Sequence, residues 1–374
     1  MKQRLQPDSI ESLRPKTDAD LTDMALAQRA AVLAPAFQGR LPSAAELRNI
    51  TEELGVEIAT AVFLRTLQDS NLHGPFGKQV RSFDFAGWDQ TSVRAAQVEV
   101  TIIASNSFLS SRKWGDHVDT WRLWARDLGF TTDVIETDPR RSVAANARLI
   151  FEYLARAPNR ERIIVTYGQG ASEFRYLLHR RVNRDPRDML PEEVAGIRAW
   201  INVCGSFAGA TTSRRSQENR LKRLLLRLRM KVAGRNPITL AETSSLFPLW
   251  RRPLPMPPGL LITSLIGVPY RPQIPVGTGL NLSYDDLARS SPNDGVVTVL
   301  EAAAHPGYLV PIPGMSHRAE DRLLEPFFKR LLGVIATSMG ITEPVDRKKE
   351  KPEYPALELE LELDQTSSQI PRKR

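Results

Sequence analysis

From Val98 onward, short runs of consecutive apolar residues take turns with longer stretches in which apolar side chains recur every three or four positions. The first pattern suits strands and the second amphipathic helices, so the chain predicts a mostly parallel sheet with helices on both faces. Strands are expected at Val98–Ala104, Thr132–Glu136, Ile163–Thr166, Ala199–Cys204, Leu260–Val268 and Tyr308–Ile312. Helices are expected over Asp116–Leu128, which Gly129 closes, along the stripe Val143, Ala147, Ile150 and Leu154, over Ser172–Arg181, and over Ala319–Met339.

Residues 1–95 have a purely helical pattern and read as a separate helical region, a cap or docking domain without a chemical motif. Leu21, Met24, Ala25, Gln28, Ala31 and Val32 recur at helical spacing from Asp20 until Pro35 and Gly39 end the run. Ser43 and Glu46 form a capping box, in which the serine oxygen accepts a backbone N–H and the glutamate reaches back, so a second helix starts there. It continues or kinks past Gly55 to about Leu67, with Ile58, Val62, Phe63 and Leu67 on one side, and His73-Gly-Pro-Phe-Gly77 reads as a loop.

Two further stretches depart from the alternation. An insertion at 208–254 carries Leu221, Leu224, Leu225, Leu228 and Val232 on one helical stripe and six bases from Arg220 to Lys231 around it. Such a helix either folds its leucines over the sheet as a cap or lid, or uses 214–235 on an anionic membrane surface or an acidic partner. The core unit is thus 96–345 with this insertion inside it, followed at 346–374 by a charged linker and an acidic tail in which Leu357–Leu363 alternates leucine and glutamate. That tail reads equally as an added strand and as a disordered segment.

Composition changes this picture little. The 374 residues, 41% of them hydrophobic, suffice for a full core, and one cysteine, Cys204, excludes an intrachain disulfide. No apolar run approaches the roughly 20 residues of a membrane-spanning helix. The polar start Met1–Pro7 lacks the apolar centre of a secretory signal, so a cytoplasmic location is expected. The net charge of +8 suits an anionic partner, yet the bases are not interleaved with aromatics, which disfavours nucleic acid. His117 lies beside Asp116 and Asp119, but no second histidine joins them at helical spacing. Asp116 is therefore expected to be a helix N-cap, with neither a metal nor a cofactor.

The chemistry concentrates in one turn. Arg162-Ile-Ile-Val-Thr-Tyr-Gly-Gln-Gly-Ala-Ser172 passes from strand to helix without a spacer, and Thr166, Gly170 and Ala171 supply the small neighbours that so tight a turn needs. Gly168 stands at its apex, where the G-x-S-x-G elbow has its attacking serine. Glycine keeps or relaxes the turn while removing the only atom able to attack a carbonyl. Gly168-Gln-Gly170 also matches the first part of the dinucleotide fingerprint, but the third glycine is missing and Phe174 follows where room is needed.

From about Val98 to Met339 the chain resembles an α/β-hydrolase, nearest in style to bacterial lipases and esterases. The resemblance rests on Thr166-Tyr-Gly-Gln-Gly170, similar to the family's Gly-Tyr-Ser-Gln-Gly elbow, on Ser291-Pro-Asn-Asp-Gly-Val-Val297, similar to the loop bearing its acid, and on Pro313-Gly-Met-Ser-His317, similar to the loop bearing its histidine. It implies an α/β-hydrolase fold with an N-terminal helical region and a helical cap insertion. It also implies that Asp294 orients His317, that His317 takes the nucleophile's proton, and that oxyanion-binding amides lie near Asn106, Ser107 and Gln169. The chain departs from the family at Gly168, and at Ser105-Asn-Ser-Phe108, where the usual His-Gly start of the first loop is absent.

The function expected from this combination is a catalytically impaired hydrolase relative that binds a small acyl, ester or lipid-like ligand, or a protein partner, in the cleft beneath its cap. One alternative is an active serine hydrolase with a displaced nucleophile, for which Ser172 is the candidate, or with a water activated by His317. Cys204 and Ser206, at the end of a neighbouring strand, read as core and loop residues. Another alternative is a membrane-surface or partner-binding protein acting through its basic insertion.

Overall fold

The computed structural model describes residues 23–105, 114–138, 141–182, 195–207, 259–274 and 279–341. Leu21, Asn106, Ser107, the whole of the 208–254 insertion and the whole of 346–374 lie outside the described residues.

Six strands, β1 (Glu99–Ser105), β2 (Thr131–Thr137), β3 (Arg162–Tyr167), β4 (Ile197–Val203), β5 (Leu261–Val268) and β6 (Tyr308–Pro313), form one sheet in the order β2-β1-β3-β4-β5-β6. Every neighbouring pair is parallel. All six fall within two residues of the positions their apolar runs predict. The order reverses direction at β1 and β3, so a crevice opens at the carboxyl ends of the central strands, where the turns of an α/β sheet carry their function.

Side chains alternate across the sheet and bury two cores. On one face Val100, Ile102, Val165, Ile201, Val203, Val310 and Ile312 pack with Trp121 and Trp124 of helix α6 (Trp114–Asp127) and Phe328, Leu331 and Leu332 of the long C-terminal helix Asp321–Ser338. On the other, Ile103, Ile164, Trp200 and Ile262 pack with Ala147, Ile150 and Leu154 of helix α7 (Val143–Leu154) and Phe174 and Leu178 of helix α8 (Gln169–Val182). At the amino end of the sheet, buried Glu99 takes Arg162 Nε at 3.0 Å and Arg160 at 2.7 Å, so the buried carboxylate is paired.

The N-terminal helices are α1 (Asp23–Leu33), α2 (Ala44–Leu54), α3 (Val56–Asp69), α4 (His73–Arg81) and α5 (Gln90–Ala95). The Ser43–Glu46 capping box is formed, and Gly55, at φ +96°, turns the chain between α2 and α3. Leu47, Ala59, Phe63 and Leu67 share a core with Ile266 and Val268 of β5 and Leu309 of β6, so these helices pack onto the sheet and are not detached from it.

Three local expectations are corrected. The His73–Gly77 segment opens α4 and is not a loop. Proline in a first turn sacrifices an N–H that has no helical partner anyway, and Phe76 and Val80, one turn apart, anchor the helix, Phe76 stacked on Tyr308 at 4.1 Å. In α1 the buried face is Leu26, Ala30 and Leu33, whereas Met24 and Val32 of the expected stripe are 72% and 63% exposed. Both stripes have helical spacing, and only contact with α3 selects between them. Asp116 lies two residues inside α6, which begins at Trp114, so it is no N-cap, a role that requires non-helical backbone.

Candidate functional site

Strand β3 ends in buried Tyr167, and helix α8 begins at Gln169, which leaves Gly168 as the whole connection. Its φ of +50° lies in the left-handed region, which glycine enters without the Cβ clash that other residues meet. The Gly168 N–H donates to the Val203 carbonyl at 3.3 Å, which ties the turn to the end of β4. Helix α8 therefore starts three residues earlier than its sequence pattern suggests, because strand and helix meet at a single residue.

Asp294 arrives on the loop between β5 and β6. Its Oδ1 accepts the Val296 and Val297 amides at 2.9 and 2.8 Å, while Gly295, at φ +101°, makes the turn after donating to Asn293 Oδ1 at 2.9 Å. Its Oδ2 is thereby directed at His317 Nδ1, 2.9 Å away, and the His317 N–H donates to the Asp294 main-chain carbonyl at 2.7 Å. The carboxylate accepts only, so Nδ1 carries the hydrogen and Nε2 on the opposite ring edge presents a lone pair. Both side chains are buried.

The histidine loop has its own supports. Tyr167, whose ring lies 5.5 Å from that of His317, donates its hydroxyl to the His317 carbonyl. Ser316 donates its N–H to Glu320 at 2.9 Å and its hydroxyl to the same carboxylate, and the Gly314 N–H reaches the Val268 carbonyl at 3.2 Å. Tyr167 stands inside the elbow motif, yet its part in holding the histidine loop is a contact 150 residues away in sequence and leaves no local signal.

The other candidate nucleophiles turn elsewhere. Ser172 is buried and donates to the Ser206 carbonyl at 3.4 Å, one helical turn beyond the apex. Cys204 follows β4 at φ +49° with its sulfur 3.9 Å from the Ser316 carbonyl. Burial first, and then the negative charge of Asp294, push its thiol well above the usual range, so it stays protonated and is a poor nucleophile.

Gln169 supplies the amide that follows the apex, and its side chain donates to Glu173 at 3.2 Å. Glu173 is fully buried, also receives Asn146 at 2.7 Å, and occupies the place of the third glycine in a dinucleotide fingerprint. A buried carboxylate there opposes a pyrophosphate at this helix start. His117 pairs with Asp321 at 2.9 Å and Asp119 with Arg122 at 3.1 Å, and no group of three or more metal-ligating side chains occurs among the described residues.

No family model matches the sequence. No curated protein matches it either. Solved structures do: a metagenomic carboxyl esterase superposes with a TM-score of 0.50 at 18% identity, over 66% of this chain and 77% of its own. The mature form of a Bacillus licheniformis lipase gives 0.45 at 17% identity, over 66% of this chain and 92% of its own. At 18% identity the likeness to the carboxyl esterase speaks to architecture alone, and with the strand order above it establishes an α/β-hydrolase fold.

Proposed function

We propose that this protein is a catalytically impaired member of the α/β-hydrolase scaffold that binds a small acyl, ester or lipid-like ligand beside His317. Gly168 carries the reading. It occupies the strand-to-helix apex at φ +50°, the nucleophile's place in this fold, with a residue that has no atom to attack a carbonyl. The pairing of Asp294 with His317 at 2.9 Å supports a retained polar site rather than a decayed one. An acyl ligand also agrees with the esterase activity named for the structural neighbour.

The test is reactivity. Purified protein should neither hydrolyse nitrophenyl esters nor label with a fluorophosphonate probe, and Gly168→Ser should gain both properties, since a serine at this φ bears only the strain of about 1–2 kcal/mol that the left-handed region imposes. Labelling of the unaltered protein at any serine overturns the reading, as does a folded Gly168→Ser variant that remains inert.

A further inference from the structure

We infer that the open edge of the sheet, strand β2, is an internal docking surface: the chain's own Leu357–Leu363 segment adds to it as a seventh strand.

β2 stands at the end of the sheet, and among the described residues β1 is its one strand neighbour. The Thr131 N–H donates to the Val98 carbonyl at 3.1 Å, on the β1 side. Successive residues of a strand point their amides to opposite sides, so Thr132, Val134 and Glu136 present theirs outward. Val134 finds a makeshift acceptor in Oδ1 of its own neighbour Asp133, at 2.8 Å. Such an edge, seven residues long, is a template for another strand.

The two flanks of this edge differ in chemistry. On the face of Asp133 and Ile135, helix α7 presents half-buried Leu149 and Tyr153, one turn apart, with the Tyr153 hydroxyl bonded to Asp133. On the face of Thr132 and Val134, helix α6 presents Arg126, whose Nε donates to Thr132 Oγ1 at 2.8 Å, and Arg122, paired with Asp119 at 3.1 Å. One flank is apolar and the other carries bases. Leu357-Glu-Leu-Glu-Leu-Glu-Leu363 also has seven residues, and at strand period its four leucines share one face and its three glutamates the other. In one register the leucines cover Leu149 and Tyr153 while the glutamates turn toward Arg126. A slip by one residue reverses both, so the pattern fixes the register. Glu136 is exposed on the basic flank at the far end of β2, which leaves the attraction at the Arg126 end.

The chain also leaves the described residues within reach of this edge. The helix Asp321–Ser338 sets Gly333 against the Phe83 ring, Phe83 meets Trp88 edge-on at 6.0 Å, and the Trp88 indole donates to the Leu128 carbonyl at 3.1 Å, just before β2. Ile341 packs on the core that these aromatics join. Residues 342–356 then span up to about 50 Å when extended, enough to bring Leu357 to either end of β2.

The experiment is amide hydrogen exchange of the full-length protein, read residue by residue by NMR. Thr132 and Glu136 should exchange at least about tenfold more slowly than in a Leu359→Pro/Glu360→Pro variant, which removes two consecutive N–H groups and so one from each side of the added strand. A Leu359→Glu/Leu361→Glu variant keeps every N–H but loses the face turned to Leu149 and Tyr153, and should lose the protection as well. Asp133 and Ile135, whose amides face β1, should exchange alike in all three proteins and report that the variants fold. Outward amides that exchange freely in the unaltered protein overturn the inference. Protection that survives in either folded variant overturns it by giving the edge to another part of the chain, and protection that grows with protein concentration overturns it in favour of a second copy.

Discussion

The hydroxyl of Tyr167, the residue just before the elbow glycine, donates to the main-chain carbonyl of His317 across 150 positions of sequence. The bond joins the end of the third strand to the loop after the sixth, so the height of the imidazole over the elbow is set by the strand that carries the elbow. Tyr167→Phe leaves the ring and its packing on Trp121 but strands a buried carbonyl. A loss of about 1–3 kcal/mol in urea unfolding is expected. In the Gly168→Ser background, a fall in kcat larger than the change in KM would show the imidazole out of place.

Asp294 should matter to any chemistry restored at residue 168 and much less to folding. Asp294→Asn retains an oxygen for the Val296 and Val297 amides but places the wrong partner opposite Nδ1. In the Gly168→Ser protein, ester hydrolysis should drop by about 10³–10⁴, the scale of a misassigned tautomer. Steady-state kinetics on the double variant provide the measurement, and a drop of less than about tenfold would detach Asp294 from His317 functionally.

The pair of Glu99 with Arg162 belongs to stability alone. Both side chains are 3% exposed, and Arg160 adds a second, more exposed base. Glu99→Gln leaves the Arg162 charge buried without its counter-charge, and a loss of about 3–5 kcal/mol is expected. Thermal or urea unfolding reads it directly.

Acid should destabilise the fold through buried histidine. His305 donates Nε2–H to Ser264 Oγ at 2.8 Å and accepts the Gly307 N–H on Nδ1 at 2.9 Å, a pattern open only to the neutral ring. Burial, with smaller contributions from His73 and Arg175, pushes its pKa down to about 3, and burial lowers that of His73 also. The unfolded chain takes up these protons near pH 6.5 and the folded one does not, so the stability present above that pH is lost as the pH falls. Between pH 6 and 4 His305 removes up to about 1.4 kcal/mol per pH unit, and His73 acts in the same direction. Urea midpoints across that range should shift accordingly, and His305→Gln should flatten the dependence by one proton's worth.

The sequence by itself determined the six strands and the elbow. An apolar run between turn residues and a row of small side chains around Gly168 are local facts, and the covalent chain enforces them wherever it folds. It equally carried the caps, as at Ser43 and Glu46, where donor and acceptor lie within one helical turn. It did not choose between the two helical stripes of α1, and it took the Gly-Pro-Phe-Gly segment for a break, because both depended on what packs against them: α3 in one case, Tyr308 in the other. Asp294 and His317 were legible as loop residues in the right order. Their 2.9 Å meeting, the grip of Tyr167 on the histidine loop, and the thiol of Cys204 held protonated beside them were decided by tertiary structure. Parallel strands bring distant loops to one sheet edge, and the distances between those loops are written in packing, not in neighbouring residues.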